Sequence, residues 1–186
     1  SAVILQLQSS EYSGVNWYET IENSSALQGT IASMTMLGAL IGCIIGFSSA
    51  DSLGRKHSIM LGAAFYCLGS CTEWLSGFSM FSAEIGISVL SFGRIFYGVG
   101  VGFSMQGAPA YIGEMAPTSI RGLLVSMKEA FIVLGMLLGY AIGYAYSTTP
   151  GGWRLAYGWA SVLAVVMLTG MFHLPPSASW LAMNGH

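Results

Sequence analysis

Apolar residues run along this chain in blocks of roughly 20, and clusters of polar and charged residues punctuate them. A block of that length, wound as a helix, crosses a hydrocarbon core of about 30 Å. The pattern predicts five full membrane spans, at 27–50, 58–75, 86–113, 122–146 and 155–174. Residues 1–9 read as the tail of a helix whose body precedes Ser1, and residues 10–25 as a polar loop. The breaks between spans are DSLGRKH at 51–57, a loop reaching Glu84, the segment 114–121, and STTPGGW. The expected fold class is all-α, a polytopic membrane helix bundle, made of one fragment over residues 1–186.

Composition supports that reading. Of the 186 residues, 54% are hydrophobic and 8% charged, and the mean hydropathy is +0.66. Soluble domains carry about 25% charged residues, so this chain could not cover a water-facing surface. The formal net charge of -2 says little about partners, but the sequence has no basic patch for nucleic acid, and no partner of that kind is expected. The expected surroundings are lipid bilayer. Lys and Arg in short loops set orientation. Arg55, Lys56 and Arg121 fall on one side, and Arg154 stands with Glu11, Glu19, Glu22, Glu73 and Glu84 on the other. The 51–57 and 114–121 loops are therefore expected on the cytoplasmic side. Trp17, Tyr18, Trp74 and Trp153 would form an aromatic belt at the opposite interface.

Gly38, Gly42 and Gly46 recur every fourth residue, as do Gly135, Gly139 and Gly143. Small residues at that spacing let helix backbones approach closely in lipid. Cys43, Cys67 and Cys71 fall inside predicted spans; Cys67 and Cys71, one turn apart, could in principle bind a metal, but buried thiols acting as small apolar residues are the better reading. No nucleophile–base set or metal cluster is legible, so neither an enzyme nor a cofactor is expected.

The charges inside or beside the spans carry the candidate chemistry. Arg94 lies within a span, where a guanidinium costs a few kcal/mol on insertion scales. From Arg94 to Glu114 is 20 residues, about 30 Å of helix. Arg94 either snorkels to the interface opposite Glu114 or pairs with a carboxylate on another helix, and position alone leaves both open. Asp51, Arg55, Glu114 and Arg121 cluster at the other end. Asp51 could pair with Arg121 and Glu114 with Arg55, or all four could be solvated loop charges worth about 0–1 kcal/mol each.

Arg94-x3-Gly-x-Gly-x-Gly, Phe96-x-Gly98-x3-Gly102, Tyr111-x-x-Glu114 and Arg121-Gly122 occur in order in GRIFYGVGVGFSMQGAPAYIGEMAPTSIRG. With Asp51-Ser-Leu-Gly-Arg55-Lys56 and Gly152-Trp153-Arg154, this set resembles the sugar porter family of the major facilitator superfamily. The stretches SMKEAFIVLGMLLGY and MQGAPAYIGEMAP resemble the plant D-xylose–proton-symporter-like members of vacuole and plastid. The resemblance implies the amino-terminal half of a twelve-helix transporter, whose carboxy-terminal half is a partner absent from this chain. It implies a monosaccharide, hexose or pentose, and a proton as transported partners, moved by alternating access. Sugar–proton symport is the leading reading; the alternatives are facilitation without a proton, a transporter-like sugar sensor and a non-transporting fragment.

The same resemblance gives residues roles. Arg94 is similar to the fourth-helix arginine that pairs with a first-helix aspartate in proton-coupled members, and that aspartate would precede Ser1. Asp51, Arg55, Glu114 and Arg121 resemble the cytoplasmic gate. Glu129, Ile132 and Met136 are the implied substrate-binding positions, with Glu129 and Met136 standing where relatives have glutamines. Glu129 could instead pair with Lys128 or another helix. The segment Pro175-Pro176-Ser177-Ala178-Ser179-Trp180-Leu181 departs from the family pattern, with Pro176 in place of a glutamate and Ser179 of an arginine. That departure weakens the gate assignment. The expected location is an integral, multi-pass one, with vacuole, plastid envelope and plasma membrane all open.

Overall fold

A computed structural model describes residues 6–7, 12–15, 17–77, 82–177 and 180, and the backbone alone at Asp51. The described residues form helices and no strand. They are α1 (Tyr18–Glu22), α2 (Ser25–Ser76), α3 (Ala83–Met115), α4 (Arg121–Ala145) and α5 (Gly152–His173). Ser24 starts α2 by accepting a hydrogen bond from the Leu27 amide at 3.3 Å, which satisfies one of the orphan donors at a helix start.

α2 is two arms broken at one residue. Gly54 has φ 79 and ψ 156, and the residues on either side of it are helical. Only glycine enters that region without a Cβ penalty, so the chain turns there without leaving helix for more than a residue. This corrects the expected loop at 51–57.

Both arms pack on α3. A Cβ on Gly38 would lie 2.2 Å from the Ile95 carbonyl, and one on Gly42 would lie 2.4 Å from the Val99 carbonyl. Rising numbers meet rising numbers, so the first arm runs parallel to α3. On the other side Gly62 meets Ser104, Gly69 meets Tyr97, and Gly93 meets Glu73. There the numbers oppose, so the second arm runs antiparallel to α3. Bare glycine backbones let three helices cross at contact distance. Gly135 and Gly139 do not act this way, because a Cβ on either would meet nothing within 4 Å. α4 has no buried residue at all.

Four helices are long and apolar enough to cross a membrane: Ser25–Ala50, Ala83–Met115, Arg121–Ala145 and Gly152–His173. The expected span at 58–75 is helical, but lies outside that set. Its polarity is the reason, and the polar side chains face inward. Ser70, Glu73 and Ser76 are buried, while Leu61, Leu68, Trp74 and Leu75 are exposed. In lipid an apolar exterior and a polar interior are compatible, because the surrounding tails are as apolar as leucine.

Two hydrophobic clusters close the ends of the bundle. One joins Leu7, Val15, Trp17, Ile21, Ile31, Leu90 and Trp153. Trp153 is fully buried and donates from Nε1 to the Ser13 carbonyl at 2.8 Å. Its ring meets Trp17 edge-to-face at 6.4 Å. These two tryptophans are therefore core, not an interfacial belt. The second cluster joins Ile59, Tyr111 and Met171 at the other end. The expectation of buried thiols is corrected: Cys43 and Cys71 are exposed and Cys67 is half-buried, although the Cys43 thiol still reaches the Gly102 carbonyl of α3 at 3.7 Å.

Candidate functional site

Arg94 sits on α3 with its side chain 12% exposed, and its Nε lies 3.3 Å from Oε1 of Glu73 on the second arm. Glu73 is the more enclosed partner, with a side chain 2% exposed. A terminal nitrogen of Arg94 donates to the Tyr157 hydroxyl on α5. The guanidinium carbon also lies 5.3 Å from the centre of the Tyr157 ring. Of the two placements that sequence leaves open, the structure has the paired one. The carboxylate comes from Glu73, which sequence places near the end of the 58–75 span, on the side of Arg154 and Glu84. Residues preceding Ser1 are outside the chain, so the expected first-helix aspartate is not part of this geometry.

The pair lines a cavity of about 320 Å³. Its wall draws on every long helix: Thr35 and Glu73 from α2, Arg94 and Tyr97 from α3, Gly139 from α4 and Tyr157 from α5. Gly135 and Gly139 open the α4 side of it, which accounts for the empty space above them. An ion pair in this setting is weakly screened, and each charge compensates the desolvation of the other.

At the other end, Arg55 Nε donates to Glu114 Oε1 at 3.1 Å. Their side chains are 25% and 20% exposed. Lys56 donates to the carbonyls of Phe172 and Leu174, at 3.3 Å and 2.6 Å. It thereby serves carbonyls that α5 leaves unpaired at its C-terminus. The Tyr111 hydroxyl donates to the Pro175 carbonyl at 2.7 Å, and Trp180 lies over Gly54. Arg121 turns to the Ala116 carbonyl at 3.3 Å. The Asp51 side chain, Ser179 and Leu181 lie outside the described residues. The structure thus joins Arg55 to Glu114, and binds the divergent 175–180 stretch to the same end through Pro175 and Trp180.

Glu129, Ile132 and Met136 share one face of α4, at spacings of three and four residues. Glu129 is 69% exposed and its Oε1 lies 2.9 Å from Nζ of Lys128. Met136 is exposed. Ile132 lines a separate groove of about 640 Å³ between the end of α3 and the start of α4, together with Lys128. The structure therefore does not bring these three residues to the Arg94 cavity; the neighbouring face of α4, with Gly135 and Gly139, lines it.

A family model described as "Sugar (and other) transporter" matches residues 1–186. The chain belongs to this sugar transporter family. It is 43% identical over 184 residues to "D-xylose-proton symporter-like 2" of Arabidopsis thaliana, covering 99% of this chain and 34% of the relative. It is 41% identical over 185 residues to "D-xylose-proton symporter-like 3, chloroplastic" of the same plant, covering 99% and 31%. A partially occluded inward-open structure of the xylose transporter XylE from E. coli superposes with a TM-score of 0.84 at 26% identity. That match covers 100% of this chain and 47% of XylE. The chain spans about a third of the length of these curated relatives. As a sugar transporter family member it has the amino-terminal-half fold of the major facilitator superfamily, and is a multi-pass membrane protein.

Within this family member, Glu73 and Tyr157 are the site residues that sequence reasoning missed. A signal for Glu73 does exist. Gly62, Gly69, Ser70, Glu73 and Ser76 recur at three-, four- and seven-residue steps, a small and polar stripe on one face of a lipid-bound helix. A carboxylate on that stripe points inward. Tyr157 has no such mark; only the crossing of α5 over α3 brings it to Arg94.

Proposed function

We propose that this chain is the amino-terminal bundle of a secondary-active monosaccharide transporter that couples sugar movement to a proton. The observation that carries the reading is the buried Arg94 pair lining a cavity between all the long helices. An intramembrane ionisable residue of this kind marks an ion or proton pathway, and a cavity at a helix-bundle interface is where alternating access works. In this mechanism Arg94 holds a carboxylate until protonation releases it, and the release permits rocking about the sugar. Glu129, Ile132 and Met136 contact the sugar from one face of α4, completed by a carboxy-terminal half. Arg55 and Glu114 latch the bundle's cytoplasmic end, with Asp51 and Arg121 in the same network. The names of the plant relatives, D-xylose–proton symporter-like proteins, support a pentose among the substrates, and hexose is the second candidate.

The test is proton-gradient-driven uptake of labelled xylose and glucose into vesicles holding the full-length protein, with Arg94→Ala beside it. Accumulation that is lost on uncoupling and in Arg94→Ala is the expected result. Uptake that only equilibrates and ignores the uncoupler would make the protein a facilitator, and no uptake of either sugar by correctly inserted protein would point to another substrate, a sensor or a non-transporting fragment.

A further inference from the structure

We infer that Gln106 is a second acceptor for the Arg55 guanidinium, which Arg55 takes in exchange for Glu114 when the latched end of the bundle opens. The inference rests on the reading of Arg55 and Glu114 as a latch, and supplies the latch's other setting.

Three observations carry it. The first is reach. Gln106 and Glu114 stand on one face of α3, two turns or about 12 Å apart. Arg55 is rooted at the Gln106 end of that interval, because a Cβ on the neighbouring Gly107 would lie 3.8 Å from the Arg55 carbonyl oxygen. From there the side chain runs along α3 to Glu114 Oε1, 3.1 Å from its Nε. Folded back, the same side chain ends beside Gln106. The second observation is room. Arg55 and Gln106 line one pocket of about 320 Å³, walled by both arms of α2 and by α3. The third is an unmet acceptor. Gln106 Oε1 is buried and has no hydrogen-bond partner among the described residues. It rests against the first arm, where a Cβ on Gly46 would lie 3.1 Å from it. Ser58, the remaining polar side chain of the wall, gives its hydroxyl to the Gly54 carbonyl at 3.1 Å. The donor that the wall offers Gln106 is therefore Arg55.

The exchange has two settings. In the latched one Arg55 is paired with Glu114 and the Gln106 carbonyl goes without a donor, which is costly for a buried group. In the open one an Arg55 N–H donates to Gln106 Oε1, and Glu114, whose side chain is 20% exposed, takes water in its place. No proton changes hands and no covalent bond forms. An uncharged amide suits this role: it accepts a hydrogen bond from the guanidinium but lacks the charge that would trap it. Each setting leaves one acceptor to be satisfied from elsewhere, which keeps the two close in free energy, as a gate that cycles requires.

The experiment uses the full-length protein in vesicles, carrying Ala110→Cys on the pocket wall. It reads the labelling rate with a membrane-impermeant maleimide supplied on the side of the 114–121 loop. Labelling of the native Cys43, Cys67 and Cys71, read without the added thiol, is subtracted. The rate follows the population of the open form. Glu114→Gln is expected to raise it, because the latch is weakened. Gln106→Leu is expected to lower it at least about tenfold, the effect of losing one hydrogen bond to a charged group, and Gln106→Glu to raise it. With Arg55→Gln present, both Gln106 variants are expected to label alike, because their effect runs through Arg55. A Gln106→Leu protein that labels like its parent, or Gln106 effects that persist without Arg55, overturns the inference and leaves Gln106 to packing or to a bound water. If Gln106→Leu does not insert, Gln106→Glu with and without Arg55 decides on the same terms. If Glu114→Gln labels like its parent, the latch reading falls and the inference with it. A raised rate in Glu114→Gln beside an unchanged one in Gln106→Leu overturns the inference alone.

Discussion

Arg55 and Glu114 meet at 3.1 Å with a quarter or less of each side chain exposed. That is more enclosed than a surface pair, which contributes about 0–1 kcal/mol, so a charge reversal at one partner is felt. Arg55→Glu and Glu114→Arg are each expected to lower uptake about tenfold, the effect of roughly 1.4 kcal/mol of lost coupling between contacting charges. The double reversal is expected to recover most of it. Uptake rates of the four proteins form the cycle, and a double variant no better than the worse single would detach the pair from the gate. Glu73 behaves differently at this scale. Its side chain is 2% exposed, so removing Arg94 strands a charge that has little water to turn to. Arg94→Ala is expected to lose stability in detergent as well as transport, by an amount in the range of about 3–5 kcal/mol for a broken buried pair. A melting temperature equal to wild type would show that water reaches Glu73 and that the site is open.

The crossing of α2 on α3 is governed by glycines that have no room for a side chain. A Cβ on Gly98 would lie 2.1 Å from the Thr35 carbonyl, and both atoms belong to rigid helix backbone. Gly98→Val is therefore expected to abolish the folded bundle, read as loss of a monodisperse peak in detergent. Gly139→Ala on α4, with nothing within 4 Å of its Cβ, is expected to leave that peak unchanged. The contrast also measures how far sequence reaches. Apolar helical segments near 27–50, 86–113, 122–146 and 155–174 were legible because a bilayer demands long apolar runs, although the helix that holds the first continues past residue 50 to Ser76. The four-residue glycine spacing was legible too, but it is identical in α2 and α4. Only the crossing geometry tells which set is packed and which one lines a cavity. Gly54 misled for a related reason: charged residues around it resemble a loop, yet a single positive φ suffices to turn the chain. Trp17 and Trp153 misled because a tryptophan near a span end is equally suited to an interface or to a core. Their neighbours in space, Leu7 and Leu90, are far away in sequence.

Among the described residues, the Glu73–Arg94 pair lies between the helices and Arg55–Glu114 at one end of the bundle, while many large apolar side chains of the spans face outward. α4 is the exception to a packed interior. It has no buried residue, one face opens on the Arg94 cavity, and the adjacent face carries Glu129, Ile132 and Met136. A helix so placed can touch a solute without disturbing the core, which gives the sugar-binding proposal a clean readout. If Glu129 accepts hydrogen bonds from sugar hydroxyls, Glu129→Ala removes a charge-assisted bond worth about 1.5–3 kcal/mol. KM should then rise at least about tenfold with the maximal rate little changed. Lys128→Ala should leave KM unchanged, because it removes only the local partner at 2.9 Å. If Glu129 serves Lys128 alone, both variants are neutral, as expected for an exposed adjacent pair. A KM rise in Lys128→Ala of the same size as in Glu129→Ala would assign the contact to the pair acting together, because Lys128 also borders the groove beside Ile132.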